Sequence, residues 1–150
     1  TGTVSLSSGT GAMPNGFYET VTYCSPDITY NPGTSPAGPS SAVITIEGTY
    51  LVNISFDVNS LPNQGQLAVA LGKNRGGTIT YEIGNGCVGI GSLPPVFPQS
   101  LSSSFLVYCI AGDVIFPANF TNANISNALT GDAAGLTSVF EVALCNHSLQ

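Results

Sequence analysis

The chain has 150 residues, 43% of them hydrophobic and only 7% charged, where an average soluble domain carries about 25% charged residues. Its two cations, Lys73 and Arg75, stand against eight carboxylates for a net charge of −6, which leaves no basic surface for a nucleic acid or an anionic membrane. No run approaches the roughly 18 apolar residues of a bilayer-spanning helix, so membrane insertion is not expected.

The length fits one domain, residues 1–150, at about 150 residues per domain. Eighteen Gly and ten Pro, with few Lys, Arg, Glu or Met, favour strands and turns over helices. A mean hydropathy of +0.29 with seven Phe and six Tyr argues for a folded chain rather than a disordered one.

Residues 1–16 lack a charged segment followed by an apolar run and so do not resemble a signal peptide. A chain opening on Thr1 rather than Met reads as a processed protein or an excised domain. Residues 1–41 form the least regular part, with short strands predicted at 3–6 and 17–23. A Pro/Gly/Ser-rich loop follows through Asn31, Pro32, Gly33, Pro36, Gly38 and Pro39. Its isolated Gly-Pro steps lack a glycine at every third position and do not make a collagen triple helix.

From Ala42 the alternation sharpens. A short strand at 43–46 and a Glu47-Gly48 turn lead into a full strand at 49–58. There Tyr50, Val52, Ile54, Phe56 and Val58 share one face, with Leu51, Asn53, Ser55 and Asp57 on the other. A turn at 61–65, a strand at 66–71, an exposed tip at 72–77 holding both cations and a strand at 78–83 come next. Residues 84–100 are expected to be a long loop. Strands follow at 102–110 and 114–120, around an Ala111-Gly112-Asp113 turn; Pro117 marks the second as an edge or a bulge. A polar loop at 121–137 precedes a closing strand at 138–145, with Phe140, Val142 and Leu144 on one face and Val139, Glu141, Ala143 and Cys145 on the other. Eight or so short strands joined by turns imply an all-β antiparallel sandwich or barrel.

Two segments are apolar on both faces. Residues 102–110 set Phe105, Val107 and Cys109 against Leu106, Tyr108 and Ile110, and residues 67–71 are apolar throughout. An antiparallel sheet normally leaves one face polar. In a chain this short, a strand apolar on both sides calls for a second subunit, so an obligate oligomer is expected.

Gly48-Thr49-Tyr50 opening the long strand, Ala111-Gly112-Asp113-Val114 between two late strands and Thr137-Ser138-Val139-Phe140 opening the last occur in an order and spacing that resemble the tumour necrosis factor and complement globular-head superfamily. The resemblance spans residues 43–145. It implies a TNF-like antiparallel jelly roll of about 8–10 strands, assembled as a homotrimer about a three-fold axis. By the same resemblance Leu51, Asn53, Val139, Ala143 and one apolar face of residues 102–110, with Phe105 and Val107, fall at or near the trimer interface. The low charge, the Thr/Ser/Gly/Asn richness and the Gly-Pro steps look most like C-terminal domains of bacterial collagen-like spore-surface glycoproteins. Four cysteines and no visible stalk depart from that pattern.

Little in the sequence could carry catalysis. His147 is the one histidine and lies just past the last predicted strand, so neither a triad nor a histidine metal site is expected. Glu19, Glu47, Asp57 and Glu82 are scattered carboxylates with no local motif. Gly84-Asn85-Gly86 and Gly89-Ile90-Gly91 precede no helix that could bind a phosphate. No catalytic, cofactor-binding or metal-binding residue is therefore assigned. Cys24, Cys87, Cys109 and Cys145 allow three pairings, none of them a zinc-type Cys-x-x-Cys. Cys24 and Cys87, both beside loops, are the expected disulfide, while Cys109 and Cys145 either bridge or remain free thiols. Asn-x-Ser/Thr sequons begin at Asn53, Asn119, Asn124 and Asn146, about as many as this composition gives by chance, and the strand position of Asn53 makes it a poor acceptor.

The expectation is a non-enzymatic trimerisation head of an extracellular filament or collagen-like glycoprotein, of the spore-surface or exosporium type. Its partners are its own copies, with an upstream stalk or other surface-layer proteins. The rival is a receptor- or glycan-binding head of a viral or phage fibre, with contacts on 84–100 and 121–137 and with Tyr18, Tyr23, Tyr30 or Tyr81 available for sugar stacking. A hydrolase using the scattered carboxylates is a distant third.

Overall fold

The computed structural model describes residues 3–14, 17–18, 25–33, 39–89, 99–130 and 138–147. These residues form eleven strands and no helix: β1 (Thr3–Leu6), β2 (Gly9–Ala12), β3 (Ile28–Asn31), β4 (Ser41–Ile44), β5 (Gly48–Val58), β6 (Gln66–Arg75), β7 (Thr78–Val88), β8 (Gln99–Cys109), β9 (Val114–Thr121), β10 (Ile125–Thr130) and β11 (Val139–His147). All pairings are antiparallel and build two sheets. In the first, β5 has β8 on one side, with β11 and β10 in succession on the other and β1 beyond β10. The second runs β3-β4-β9-β6-β7, with β2 also beside β9. The molecule is an antiparallel jelly-roll sandwich, as expected.

The core follows from the alternation of β5. Tyr50, Val52, Ile54, Phe56 and Val58 all point between the sheets, where they meet Leu67, Val69 and Leu71 of β6, Ile115 of β9 and Phe105, Val107 and Cys109 of β8. Removing so many large side chains from water is the main force holding the sheets together. Burial raises the Tyr50 phenol to about 12, with smaller contributions from Asp27 and Cys109, and its hydroxyl donates to the Ile46 carbonyl at 2.6 Å.

Gly48 opens β5 because nothing larger fits: a Cβ there would run into the Asn146 carbonyl and the Leu144 side chain at the irregular end of β11. The glycine of the Gly-x-Tyr pattern thus has a packing cause.

Several expected boundaries shift. The segments taken as loops at 84–100 and 121–137 contain strand: β7 runs on to Val88, β8 begins at Gln99 and β10 occupies part of the second. Their Ser-, Asn- and Gly-rich composition hid pairing that β5, β6 and β1 supply. β2 and β3 fall in the region taken as irregular, and Phe17 and Tyr18 lie in a turn, not a strand. The tip at 72–77 shrinks to Gly76-Gly77, whose positive φ values of 57° and 90° suit a two-residue hairpin turn.

Pro117 does not sit at an edge. β9 lies between β6 and the pair β4/β2, and Pro117 falls where β4 has ended at Ile115 and β2 begins at Ala118. Its carbonyl accepts from Met13 N on that side at 2.9 Å. The missing N–H faces the same gap, so no ladder bond is lost.

Candidate functional site

The outer face of the first sheet is built by the odd-numbered residues of β5 and their cross-strand neighbours. The register lays three parallel rows: Ala143–Leu51–Leu106, Glu141–Asn53–Ser104 and Val139–Ser55–Ser102. A fourth joins Asn146, Thr49 and Tyr108. Leu106 is 67% exposed and Tyr108 47%, with Leu51 half-buried and Ala143 and Cys145 exposed beside them. One row of this face, Ala143–Leu51–Leu106, is therefore apolar, and the row beside it adds the exposed ring of Tyr108.

The next row is polar and bonded to itself. Ser104 Oγ donates to Asn53 Oδ1 at 2.7 Å, and Asn53 Nδ2 donates to Glu141 Oε2 at 3.3 Å. Beyond it Ser55 Oγ accepts from Val139 N at 3.1 Å. Side chains that bond laterally across a sheet expose fewer unsatisfied groups to an approaching surface, which lowers the desolvation cost of covering them.

Of the residues expected at an interface, Leu51, Asn53, Val139 and Ala143 share this outer face. Phe105 and Val107 do not: they are buried in the core of their own chain. The apolar side of β8 that faces outward is Leu106 and Tyr108. The sequence held a signal for this phase, since Leu101, Phe105, Val107 and Cys109 make a more apolar row than Ser102, Ser104, Leu106 and Tyr108. The apolar stretch at 67–71 has its own explanation, because Ala70 on its outer side is covered by Phe116 and Ala118 of the same chain.

One end of the face is fixed by a charged cluster. Asp113, 1% exposed, accepts from Arg75 Nη2 at 2.6 Å, from Arg75 Nε at 2.9 and 3.1 Å and from the Ile110 N–H at 3.0 Å. Burial by itself would raise the Asp113 carboxyl; the Arg75 guanidinium and the Ile110 N–H outweigh it and hold it below its ordinary value. Lys73 Nζ donates to the Tyr108 carbonyl at 3.3 Å, and the Tyr108 hydroxyl donates to Glu47 Oε1. That bond to a carboxylate, with some desolvation, raises the Tyr108 phenol, so the ring stays neutral at working pH. Both cations are thus engaged within the chain rather than displayed on a tip.

The remaining titratable groups are dispersed. Glu47 precedes β5 and Asp57, accepting from Ser100 Oγ at 2.6 Å, lies near its far end, about 30 Å away at the rise of a strand. That separation is too great for a carboxylate pair to share one bond. Glu82 lies exposed on β7, and Glu19 and Cys24 fall outside the described residues. Among the described residues no cluster of three metal-ligating side chains occurs. Cys109 and Cys145 are free thiols; Cys109 points into the core, where burial raises it to about 11, and Cys145 points outward. The pairing of Cys24 with Cys87 is untested by a structure that does not describe Cys24.

Asn119, one of the sequon residues, is buried and directs Nδ2 to the Gly11 carbonyl at 3.5 Å. Tyr18 and Tyr30 pack against Phe140. Tyr18 is buried and donates to the Ser55 carbonyl, and Tyr30 donates to the Tyr18 carbonyl; neither ring is free to stack on a sugar. Tyr81 is exposed, and Tyr23 lies outside the described residues.

No family model matches the chain, and no curated protein matches it either. Among solved structures it is similar to the Eiger TNF of S. frugiperda, with a TM-score of 0.58 and 15% identity over 97% of this chain and 91% of that one. The fold is accordingly that of a TNF-like jelly roll. Among the described residues no helix is long and apolar enough to cross a membrane.

Proposed function

We propose that this domain is a non-enzymatic self-associating head in which three copies meet through the outer face of the β5 sheet. The observation that carries the reading is that face itself: Leu106 and Tyr108 exposed beside Leu51 and Ala143, in a chain with only 7% charged residues. Covering these rows removes apolar surface from water at about 25 cal/mol per Å2. Phe105 and Val107 support the face from beneath, while Leu51, Asn53, Val139 and Ala143 lie on it. The TNF-like fold supports a three-fold arrangement by analogy of fold alone.

The setting we propose is the surface of a cell or spore, at the end of a filament or a collagen-like glycoprotein of the exosporium type. Three associated heads would align the chains that precede them and lower the entropic cost of winding or anchoring a stalk. The partners are then further copies and the stalk or surface layer to which they are joined. Light scattering on the purified domain tests the core of this reading: a mass of three times 15.3 kDa, or a whole multiple of that trimer, supports it, and a monomer at submillimolar concentration overturns it.

Recognition of a receptor or glycan is the weaker reading. Part of the two loops that would carry the contacts is strand, and two of the four tyrosines that would stack on sugar are packed against Phe140. Specific micromolar binding on a glycan array would favour it over the structural role.

A further inference from the structure

The second sheet ends in a strand whose pattern runs against its position. Among the described residues β7 pairs with β6 alone. Its N-terminal half alternates Thr78, Ile79, Thr80, Tyr81, Glu82 and Ile83, and every one of these residues is exposed. Ile79, Tyr81 and Ile83 are 49%, 40% and 53% exposed and stand on the outer side of the sheet, where Tyr81 meets Phe116 edge-on at 6.1 Å. Beyond Ile83 the ladder shifts register, and Asn85 donates to Ser103 Oγ and to the Ser102 carbonyl of β8. The unshifted edge is therefore residues 78–83.

The ladder fixes which backbone groups that edge offers. Arg75 and Thr78 flank the two-residue Gly76-Gly77 turn and pair directly, and the register continues without a shift from there to Ala70 opposite Ile83. In an antiparallel ladder the bonded pairs alternate. The N–H and C=O groups of Thr78, Thr80 and Glu82 turn to β6, and those of Ile79, Tyr81 and Ile83 turn outward. Edges of this kind are ordinarily blunted by Lys, by Pro or by a bulge; residues 78–83 contain none of the three, and Glu82 is their one charge.

We propose that this edge pairs antiparallel with the same strand of a second copy, joining the β7 sheets of two molecules across a two-fold axis centred on Tyr81. The chain is its own complement in that register. Tyr81 faces Tyr81 of the second copy, Ile79 faces Ile83 in both directions, and all six side chains lie on one side as cross-strand pairs. On the other side Glu82 faces Thr80, so no two carboxylates oppose each other, as they would in a register centred on Glu82. Each copy directs the N–H and C=O of three residues at the other. The apolar strip from Phe116 through Tyr81 continues unbroken into the second molecule. This contact uses the opposite sheet from the proposed three-fold face and does not rest on it; with both in place, heads would be linked into pairs of trimers.

The two sources of association separate by substitution. Tyr81→Pro removes an N–H that bonds no group among the described residues, at an edge position that tolerates proline, and Ile83→Lys places a cation on the strip. In a Leu106→Glu background, which breaks the three-fold face, sedimentation equilibrium should show two copies, falling to one on adding Tyr81→Pro or Ile83→Lys, with the far-ultraviolet circular dichroism unchanged. Thr80→Pro is the matched control, since its N–H belongs to the β6 ladder and its loss should disrupt the hairpin. The proposal is overturned if the Leu106→Glu protein is a monomer at submillimolar concentration, or if its mass is unchanged by both edge variants. If Tyr81→Pro fails to fold, Ile83→Lys decides alone. A mass in the parent protein that is even but not a multiple of three supports the edge contact while contradicting the trimer.

Discussion

β5 and β7 are both eleven residues long and both alternate apolar with polar side chains, yet they use the alternation in opposite ways. β5 is the spine of its sheet and directs Tyr50, Val52, Ile54 and Phe56 into the core at no more than 1% exposure. β7 is the outermost strand of its sheet among the described residues, and its isoleucines face solvent. Period-two patterning identifies a strand, but only the strand's place in the sheet decides whether the apolar row is covered by the same chain. What the fold does not cover is where a second molecule gains by binding.

Truncation costs most on the buried strand. Phe56→Ala should cost about 3–5 kcal/mol, from lost transfer energy and the cavity left between the sheets, whereas Ile83→Ala should change monomer stability by less than about 0.5 kcal/mol. Urea unfolding in a background that prevents association measures both. Equal costs would mean that β7 is covered within the monomer after all.

Asp113→Ala comes next, at about 2–3 kcal/mol, since it strands the Ile110 N–H and removes the acceptor that draws in Arg75. The carboxyl is depressed in the folded state, so its contribution is complete above the ordinary Asp value of about 3.9 and is lost as pH falls through the lower native value. Thermal midpoints of the parent should therefore drop below roughly pH 4 more steeply than those of Asp113→Asn. Parallel curves would remove Asp113 from the account.

Gly48→Ala should destabilise by about 1–2 kcal/mol, because the Asn146 backbone cannot give way as a flexible side chain would. A neutral outcome would mean that the end of β11 shifts freely. Thiol labelling sharpens the inner-versus-outer contrast at the smallest cost in stability. In the Leu106→Glu background, where the β5 face is uncovered, Cys145 should react quickly and Cys109, buried and raised to about 11, only on unfolding.

Much of the sandwich was legible in the sequence because β5 alternates over its whole length and Ala111-Gly112-Asp113 punctuates β8 and β9. The strands that were missed, β2, β3 and β10, are short and rich in Gly, Thr, Asn and Ser. Their strand character comes from the partner they lie against rather than from their own side chains. Pro117 misled for a related reason: a proline excludes one hydrogen bond, and a central strand can lack a neighbour at one residue. The candidate face was half legible. Leu51, Asn53, Val139 and Ala143 follow from the phase of β5 and β11; on β8 the apolar pairs 105/107 and 106/108 conflict locally, and only the whole strand, with Leu101 and Cys109 on one side and Ser102 and Ser104 on the other, shows that Leu106 and Tyr108 face outward. The β7 edge was hidden because Ile79 and Ile83 look like core residues until they are seen on the outer side of a strand that, among the described residues, pairs with β6 alone.

The most direct test is the solution mass of the parent domain beside that of Leu106→Glu, measured by light scattering over the same concentration range. Placing a carboxylate in the Ala143–Leu51–Leu106 row should reduce the number of copies by a factor of three while leaving the far-ultraviolet circular dichroism unchanged. A parent protein that is already monomeric, or a variant that assembles as the parent does, would contradict the claim that copies of this chain meet on the β5 sheet.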